Sequence, residues 1–596
     1  MEAKEYWKKY ESGISYNSNF KPNYYESIKV HHDFYNGDQW QGVAGDEKLP
    51  HPTFNIIKRV VEFDIASLTS SDISVNVEPL EYNSNDVSED ELDTSAFINA
   101  EIKNIFEKWN MRSKKKDLLL DGAITGDMCA HFIFNANKKP YRGKFPQIKG
   151  EIEMELIDCV NVIFGNPNIR DVEKQPWIII VGRDVVKNLK EEAKKNQDNI
   201  KPDNDTEYQS SDFADAEIEI EEDNEKKALY IYYYEKKKVK QKVKRTDELT
   251  QQTIEVEEET EKVFVSKCTK DAIIYENVDL GTTRYPIAFS NWFKQKNTFH
   301  GRGMVEGIEP NQIAINKLFA MVIYHQMMTA FPTAVYDGDV IKSWSNEIGT
   351  AFKLNGTAMK GRSLKDVAGY LEPANMSEWI VKIIDLAFQY TKECLGVSDA
   401  ALGQIDPKNT SAIIAVQKST AVPLENIKDN LYDLIEQIVL ILLDMMAAKY
   451  GNRPVVVTKK DGSRIAEMFD FAQLKDMDLK TSVDVGETTY YSEIAAVQTL
   501  DNLLQNGMIE MIDYLERIPK EMIPRKEELI AKIKEKEQVV KEQGYAEMAE
   551  FVAILPPQLQ QKLQEILGHG WDVISNPQPQ ASGELVSANM EGGIMQ

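Results

Sequence analysis

The stretch from 310 to 450 sets the pattern, reading as helix, small insert, helix, loop and long helix. Pro310 suits a first helical position, and Ile315, Leu318, Phe319, Val322 and Ile323 follow at helical spacing. Phe331-Pro332 ends that helix, because the residue before proline is pushed out of helical geometry. An insert spans 331–374. The second helix opens at Asn375, with Glu378 completing a capping box. Its apolar stripe is Ile380, Ile383, Ile384, Ala387, Phe388 and Thr391 or Leu395. Its polar face carries Lys382, Asp385, Gln389, Lys392 and Glu393, and Gly396 closes it. A loop, Ser398–Asn409, holds Gln404, Asp406, Pro407, Lys408 and Asn409. The third helix runs from Ser411 to Tyr450, with a kink or break expected at Pro423. Beyond Pro423, Leu424, Ile427, Leu431, Leu434, Ile435, Ile438 and Leu442 make a broad apolar face, expected to pack on neighbouring helices, of this chain or of other subunits. At about 1.5 Å per residue the first two helices are roughly 30 Å long and the third roughly 60 Å. Paired rods of matched length suit a wall better than a pocket.

Upstream, Asn23–Tyr35, Asn55–Thr69, Glu91–Trp109 and Ser113–Thr125 predict helices. Ile73–Val77, Ala130–Phe134, Glu151–Leu156, Trp177–Val181, Ala272–Tyr275 and Pro286–Asn291 predict strands. A helix rich in Lys and Glu over Asp184–Lys195 reads as exposed, and residues 196–226 have the acidic, polar composition of a mobile loop. Next comes a basic run, Lys236 to Arg245, and an acidic run, Glu255 to Glu261. Folding the chain about Leu249-Thr250 sets Lys238, Lys240, Lys242 and Lys244 opposite Glu261, Glu259, Glu257 and Glu255, with Val243 opposite Val256. Each exposed pair contributes only about 0.2–1 kcal/mol, but all favour the same antiparallel register. A hairpin therefore explains the lysines better than a nucleic-acid patch does.

In the insert, Thr333–Tyr336 and Ala351–Leu354 predict short strands. Gly356–Ser363 imitates a phosphate-binding loop, but Arg362 replaces the lysine that such a loop requires, and no parallel core strand leads into it. Arg453–Val457 and Leu479–Val485 predict strands, Ser492–Gln505 and Arg525–Gln543 predict helices, and from Ser575 on the composition is that of a disordered tail.

A chain of 596 residues with 42% hydrophobic content divides into several domains. Its densest apolar run, Ile438–Leu443, is far short of the roughly 20 residues that span a bilayer. The amino terminus, Met1 to Trp7, is charged and leads into no signal-peptide core, which predicts a protein made in the cytosol. Cys129, Cys159, Cys268 and Cys394 are scattered and read as structural thiols, and the seven histidines do not cluster. No metal or cofactor is expected. The net charge of −26 reads first as solubility; it also argues against a surface that grips DNA, while permitting a channel through which DNA slides.

This order of elements resembles the portal proteins of tailed bacteriophages. The residues that carry the likeness are Phe34-Tyr35-Asn36-Gly37-Asp38-Gln39-Trp40, Pro52-Thr53-Phe54-Asn55-Ile56-Ile57 and Gly301-Arg302-Gly303-Met304. Leu395-Gly396-Val397-Ser398 with Leu402-Gly403, and Ser419-Thr420-Ala421-Val422-Pro423, extend it. The likeness covers roughly 20–550. The resemblance implies an α+β multidomain fold. Its parts would be a mixed wing (1–309), stem helices (310–330 and 375–396) around a small clip (331–374), a tunnel loop (397–410) and a kinked tunnel helix (411–450). Strands over 451–490 would return to the wing, and 491–550 would form a helical crown ahead of a C-terminal tail, 551–596. It further implies a non-enzymatic, homo-oligomeric ring, a dodecamer in that family, at one vertex of the phage head. The implied partners are the large terminase subunit, head–tail connector or adaptor proteins, major capsid or scaffold protein, and double-stranded DNA passing without sequence recognition, with no membrane. Gln404, Lys408, Asn409 and the polar face of the second stem helix would meet the DNA. The rivals are a nucleotide-dependent packaging enzyme and a scaffold or adaptor without a pore.

Overall fold

Two asparagines start the first long elements of the fold. The Asn23 side chain accepts from the Tyr25 N–H (3.2 Å) and opens α2 (Tyr24–Asn36); Asn55 accepts from the Lys58 N–H (3.0 Å) and opens α3 (Ile56–Leu68). Ahead of them α1 (Ala3–Ser18), which the periodicity did not single out, buries Tyr6, Trp7 and Tyr10. The computed structural model describes residues 2–20, 22–40, 50–69, 73–79, 89–140, 148–193, 195–203, 225–246, 253–330, 333–345, 351–371, 376–394, 424–458, 464–477, 479–485 and parts of 497–533. Met1–Gly486 is one compact unit and Glu487–Gln596 a second. In the second, the described helix is α12 (Met511–Arg517), with Leu515 and Ile518 buried.

The first unit is built on two antiparallel sheets. β2 (Asp127–Asn135) lies between β3 (Glu151–Leu156) and β9 (Ile287–Asn291). The larger sheet has the order β4 (Val162–Phe164), β5 (Trp177–Val185), β6 (Lys227–Thr246), β7 (Thr253–Cys268) and β8 (Ile273–Asp279). In β6 and β7 the register is the one that the charges predict: Lys238, Lys240, Lys242 and Lys244 pair with Glu261, Glu259, Glu257 and Glu255, and Val243 with Val256. The turn at 247–252 lies outside the described residues. β1 (Ile73–Pro79) pairs with β14 (Leu479–Val485), tying the C-terminal end of the unit's sequence back to its early part. β12 (Asn452–Thr458) pairs with β13 (Arg464–Asp470), whose partner role the sequence did not announce.

The main core gathers α3, α4 (Glu89–Lys108), α5 (Met111–Thr125), the smaller sheet and the start of α7 (Met304–Ala330) around α11 (Glu425–Lys449). This corrects part of one expectation. The α11 face of Ile427, Leu431, Leu434, Ile438 and Leu442 packs on neighbouring helices as predicted, and those helices belong to its own chain. Polar contacts fix its seat: Ser290 Oγ donates to the Asn430 carbonyl (3.1 Å), and Asp444 Oδ2 accepts from the Thr283 and Arg284 N–H groups (2.7 and 2.8 Å). α6 (Val186–Glu192) is a second correction. It is shorter than predicted, and Val186 and Leu189 bury one face with Ala272 and Ile274.

Two boundaries also move. α7 begins at Met304, so Pro310 lies within the helix and not at its first position. Proline there removes one helical donor, which costs about 3 kcal/mol. Burial of Met304, Val305 and Ile308 in the core holds the preceding turns against that cost. α10 (Glu378–Cys394) begins three residues after Asn375, and Ser377 caps it, its Oγ accepting from the Trp379 N–H (3.3 Å). Between these helices, β10 (Ala334–Tyr336) pairs with β11 (Ala368–Tyr370). The predicted strand Ala351–Leu354 reduces to one bridge, Ile341 to Leu354. Its neighbours, α8 (Gly356–Met359) and α9 (Leu364–Val367), are single turns.

Burial leaves a pH signature. Desolvation pushes the Asp64 carboxyl up to about 7, and the same effect, with Asp158 and Asp117 adding to it, pushes Asp121 up to about 7. An acid whose folded-state pKa exceeds its unfolded value binds more protons folded than unfolded, so stability falls as pH rises through about 4 to 7. Burial has pushed His31 down to about 4 and His131 down to about 3, and it lowers His32 as well, so their opposing effect sets in around the unfolded value near 6.5 and grows below it. Between pH 8 and 7 the carboxyls therefore dominate. The melting temperature should rise on going from pH 8 to 7, and Asp64→Asn should flatten that rise. A variant whose pH profile matches the unchanged chain would refute the assignment to Asp64.

Candidate assembly surface on the helical hairpin

α7 and α10 form an antiparallel hairpin that leaves the core halfway along. In α7 the buried residues run from Met304 through Ile308, Gln312, Ile315 and Asn316 to Ala320 and stop there. The root of the hairpin is fixed by polar groups. Gln312 Oε1 accepts from the Ile56 N–H (3.1 Å), and its Nε2 donates to the Phe54 carbonyl (2.8 Å). Asn316 Nδ2 donates to Gln39 Oε1 (2.7 Å), and Gln39 Nε2 to the Phe34 carbonyl (2.9 Å). The 34–40 and 52–57 motifs are thus clamped to α7 by a buried amide ladder, with Gln312 and Asn316 one helical turn apart. The sequence reading missed this pair; the available signal was two amides spaced by four inside an apolar helix.

The Gly301–Met304 motif has a steric reason. A Cβ on Gly303 would stand 2.7 Å from the Ile124 carbonyl oxygen, and Gly126, with φ +95°, faces Gly301 equally closely. The chain entering α7 therefore passes directly against the end of α5. Beside it sits Asp127, wholly buried. Its carboxylate accepts from Tyr24 Oη (2.9 Å), Asn291 Nδ2 (2.6 Å) and the Gly301 N–H (2.7 Å), and lies 2.8 Å from His300 Nδ1. His300 Nε2 is 3.1 Å from Asn17 Oδ1, carrying the network to α1. Next to this anchor a side-chain bond from Glu306 holds the Arg302 guanidinium above its ordinary value, and burial raises the Glu309 carboxyl.

Past Ala320 the surface changes character. Fifteen of the twenty-three exposed large hydrophobic residues described lie between Met321 and Tyr390, which localises the unpartnered apolar surface to this hairpin and its insert. α10 presents three faces. Ile384 and Thr391 are buried, and Phe388 meets Phe319 of α7 edge-on (5.9 Å). A second apolar stripe, Trp379, Ile383, Leu386 and Tyr390, follows the spacing i, i+4, i+7, i+11 and is 69%, 49%, 45% and 59% exposed. Ile383, expected on one stripe with Ile384, belongs to this outer one. Met321, Tyr324 and Met328 repeat the device on α7. The third face is polar: Lys382, Asp385 and Gln389 are exposed together, with Lys382 Nζ 4.8 Å from the Trp379 ring centroid. Lys392 and Glu393 continue along the helix, their side chains outside the described residues, as are Gln404, Lys408, Asn409 and Pro423 altogether.

Among the described residues the insert buries Val340, Ile341 and Val367, with Trp344, Leu354 and Met359 packed against them, and the rings of Tyr336, Trp344 and Phe352 stack in a row. The phosphate-loop mimic is occupied structurally. Arg362 Nη1 pairs with Asp337 Oδ2 (3.0 Å), and Ser363 caps α9. The family model for phage P22-like portal proteins matches residues 15–592. The chain belongs to the phage P22-like portal protein family. Comparison with curated proteins gives no match. Family membership makes this a structural protein with a phage portal role, and the mixed α/β fold agrees with it. Among the described residues no helix is long and apolar enough to cross a membrane, and no group of three His, Cys, Asp or Glu residues could hold a metal ion. Cys129, Cys159 and Cys268 are free and buried.

Proposed function

We propose that the chain is one subunit of a ring-shaped portal at a single capsid vertex, through which genome DNA is packaged, retained and ejected. One observation carries the reading: α10 has an inner apolar face, a separate exposed apolar stripe and a polar face. A surface helix of a closed globule needs a single apolar stripe. A helix in the wall of a bore needs one for its own chain, one for the neighbouring copy and a wet face for the lumen. Lys382, Asp385, Gln389, Lys392 and Glu393 supply the wet face, and the two lysines cancel the two acids. Such a face does not accumulate the phosphate contacts that make DNA binding tight. Gln404, Lys408 and Asn409 then belong to the tunnel loop and Pro423 to the kink of the tunnel helix, with phosphate contacts that carry no sequence information.

In this reading residues 1–309 form the wing, toward capsid or scaffold protein. The 331–374 insert is the clip, where its exposed aromatic groups suit docking by the large terminase subunit and head–tail connector proteins. The crown follows 490. The subunit is structural, and the work of packaging belongs to a partner. Mass measurement with electron-microscopic class averages of the purified chain tests the core of this. A closed ring with a central hole, twelve-fold as the resemblance implies, is the expected result; a stable monomer or a solid particle would refute it.

A further inference from the structure

The outer part of the β6–β7 hairpin stands clear of its sheet. β5 pairs with β6 only as far as Glu235, and β8 reaches β7 only from Phe264. At the base Lys236 pairs with Glu173 (2.6 Å), Lys237 with Asn277 (2.6 Å) and Lys262 with Asp279 (3.8 Å). Beyond them residues 238–246 and 253–261 continue as a two-stranded ribbon, about 30 Å long at roughly 3.3 Å per residue. Among the described residues no strand covers either outer edge. The two edges carry opposite charge: 238–246 holds five basic residues and no acidic one, and 253–261 holds five acidic residues and no basic one.

Exposed edges pair with other edges unless charge forbids it. Here two basic edges repel, two acidic edges repel, and a basic edge suits an acidic one. We infer that the ribbon is a contact between copies of this chain, with the basic 238–246 edge of one copy beside the acidic 253–261 edge of the next. The geometry is consistent. Repeating the ribbon side by side sets β7 of one copy beside β6 of the next, and because β6 and β7 are antiparallel, the new pair is antiparallel too. Each lysine at 238, 240, 242 and 244 then has a glutamate strand on both sides. Unlike edges meet head to tail, the arrangement that closes rings, whereas a two-fold contact would press like edges together. The inference rests on the ring reading above and deepens it by assigning a second contact, outside the helical hairpin.

The test uses the full chain with Cys394→Ser to lower background, since Cys129, Cys159 and Cys268 are buried. Lys240→Cys and Glu259→Cys are made in separate chains, mixed during assembly and treated with a short bismaleimide, which tolerates an offset in register. Covalent two-chain products should form in the mixture and not from either variant alone. A mixture without that product, or a product formed equally by one variant alone, overturns the ribbon contact. Light scattering on the same samples reports the ring separately. A ring without the mixed product leaves the ring reading standing, and particles that never close remove that reading whatever the ribbon does.

Discussion

Asp127→Ala should lower the stability of the chain by about 4–6 kcal/mol. Removing the carboxylate strands the buried Tyr24 hydroxyl, His300 Nδ1 and the half-buried Gly301 N–H at once, and leaves Asn291 Nδ2 with the Phe299 carbonyl alone. Each buried donor left unpaired costs about 1–3 kcal/mol, against a total stability of about 5–15 for a typical domain. The denaturant midpoint measures it, with Asp385→Ala, on the exposed polar face of α10, as a control near zero. A loss under about 1 kcal/mol would mean that water replaces the carboxylate, and the anchor argument would fail. The location matters as much as the magnitude. Gly301 lies three residues before α7, so the network sets where the hairpin leaves the core. Looser anchoring should broaden the distribution of ring diameters in any material that still assembles.

Much of this architecture was legible because local rules and tertiary packing agree. Asn23 and Asn55 cap where the sequence places helix starts, and the Lys and Glu alternation fixes the β6–β7 register to the residue. Two of the misreadings share one cause, which is that tertiary burial overrides local signals. Pro310 looks like a helix start until the burial of Met304 and Val305 extends the helix behind it. The α6 segment reads as exposed from its lysines and glutamates, yet Val186 and Leu189 are enough to seat it. Asp127 and His300 are far apart in sequence and carry no local pattern, so only the fold reveals them as partners. The outer stripe of α10 was visible in principle. Trp379, Ile383, Leu386 and Tyr390 follow heptad-like spacing, but Ile383 also fits the inner stripe, and one periodic signal masked the other.

Ile383→Glu with Leu386→Glu should abolish ring formation while leaving the subunit folded. Both residues are about half exposed in the single chain, so charges there cost the fold little. In a ring they would be covered by the next copy. Burying an aliphatic side chain is worth about 1.5–3 kcal/mol, and the pair also brings unpaired carboxylates into the contact. A loss of at least about 4 kcal/mol per contact corresponds to roughly a thousandfold weaker association, repeated at every joint of the ring. Sedimentation should then find folded monomer with an unchanged melting temperature. Ile384→Glu separates this from general damage, because Ile384 faces α7 and is buried within the chain, so the charge should disrupt the hairpin itself. Lys382→Ala with Gln389→Ala, on the third face, should assemble normally. Rings from the Ile383/Leu386 variant, or monomers from the Lys382/Gln389 variant, would mean that the faces of α10 are assigned the wrong way round.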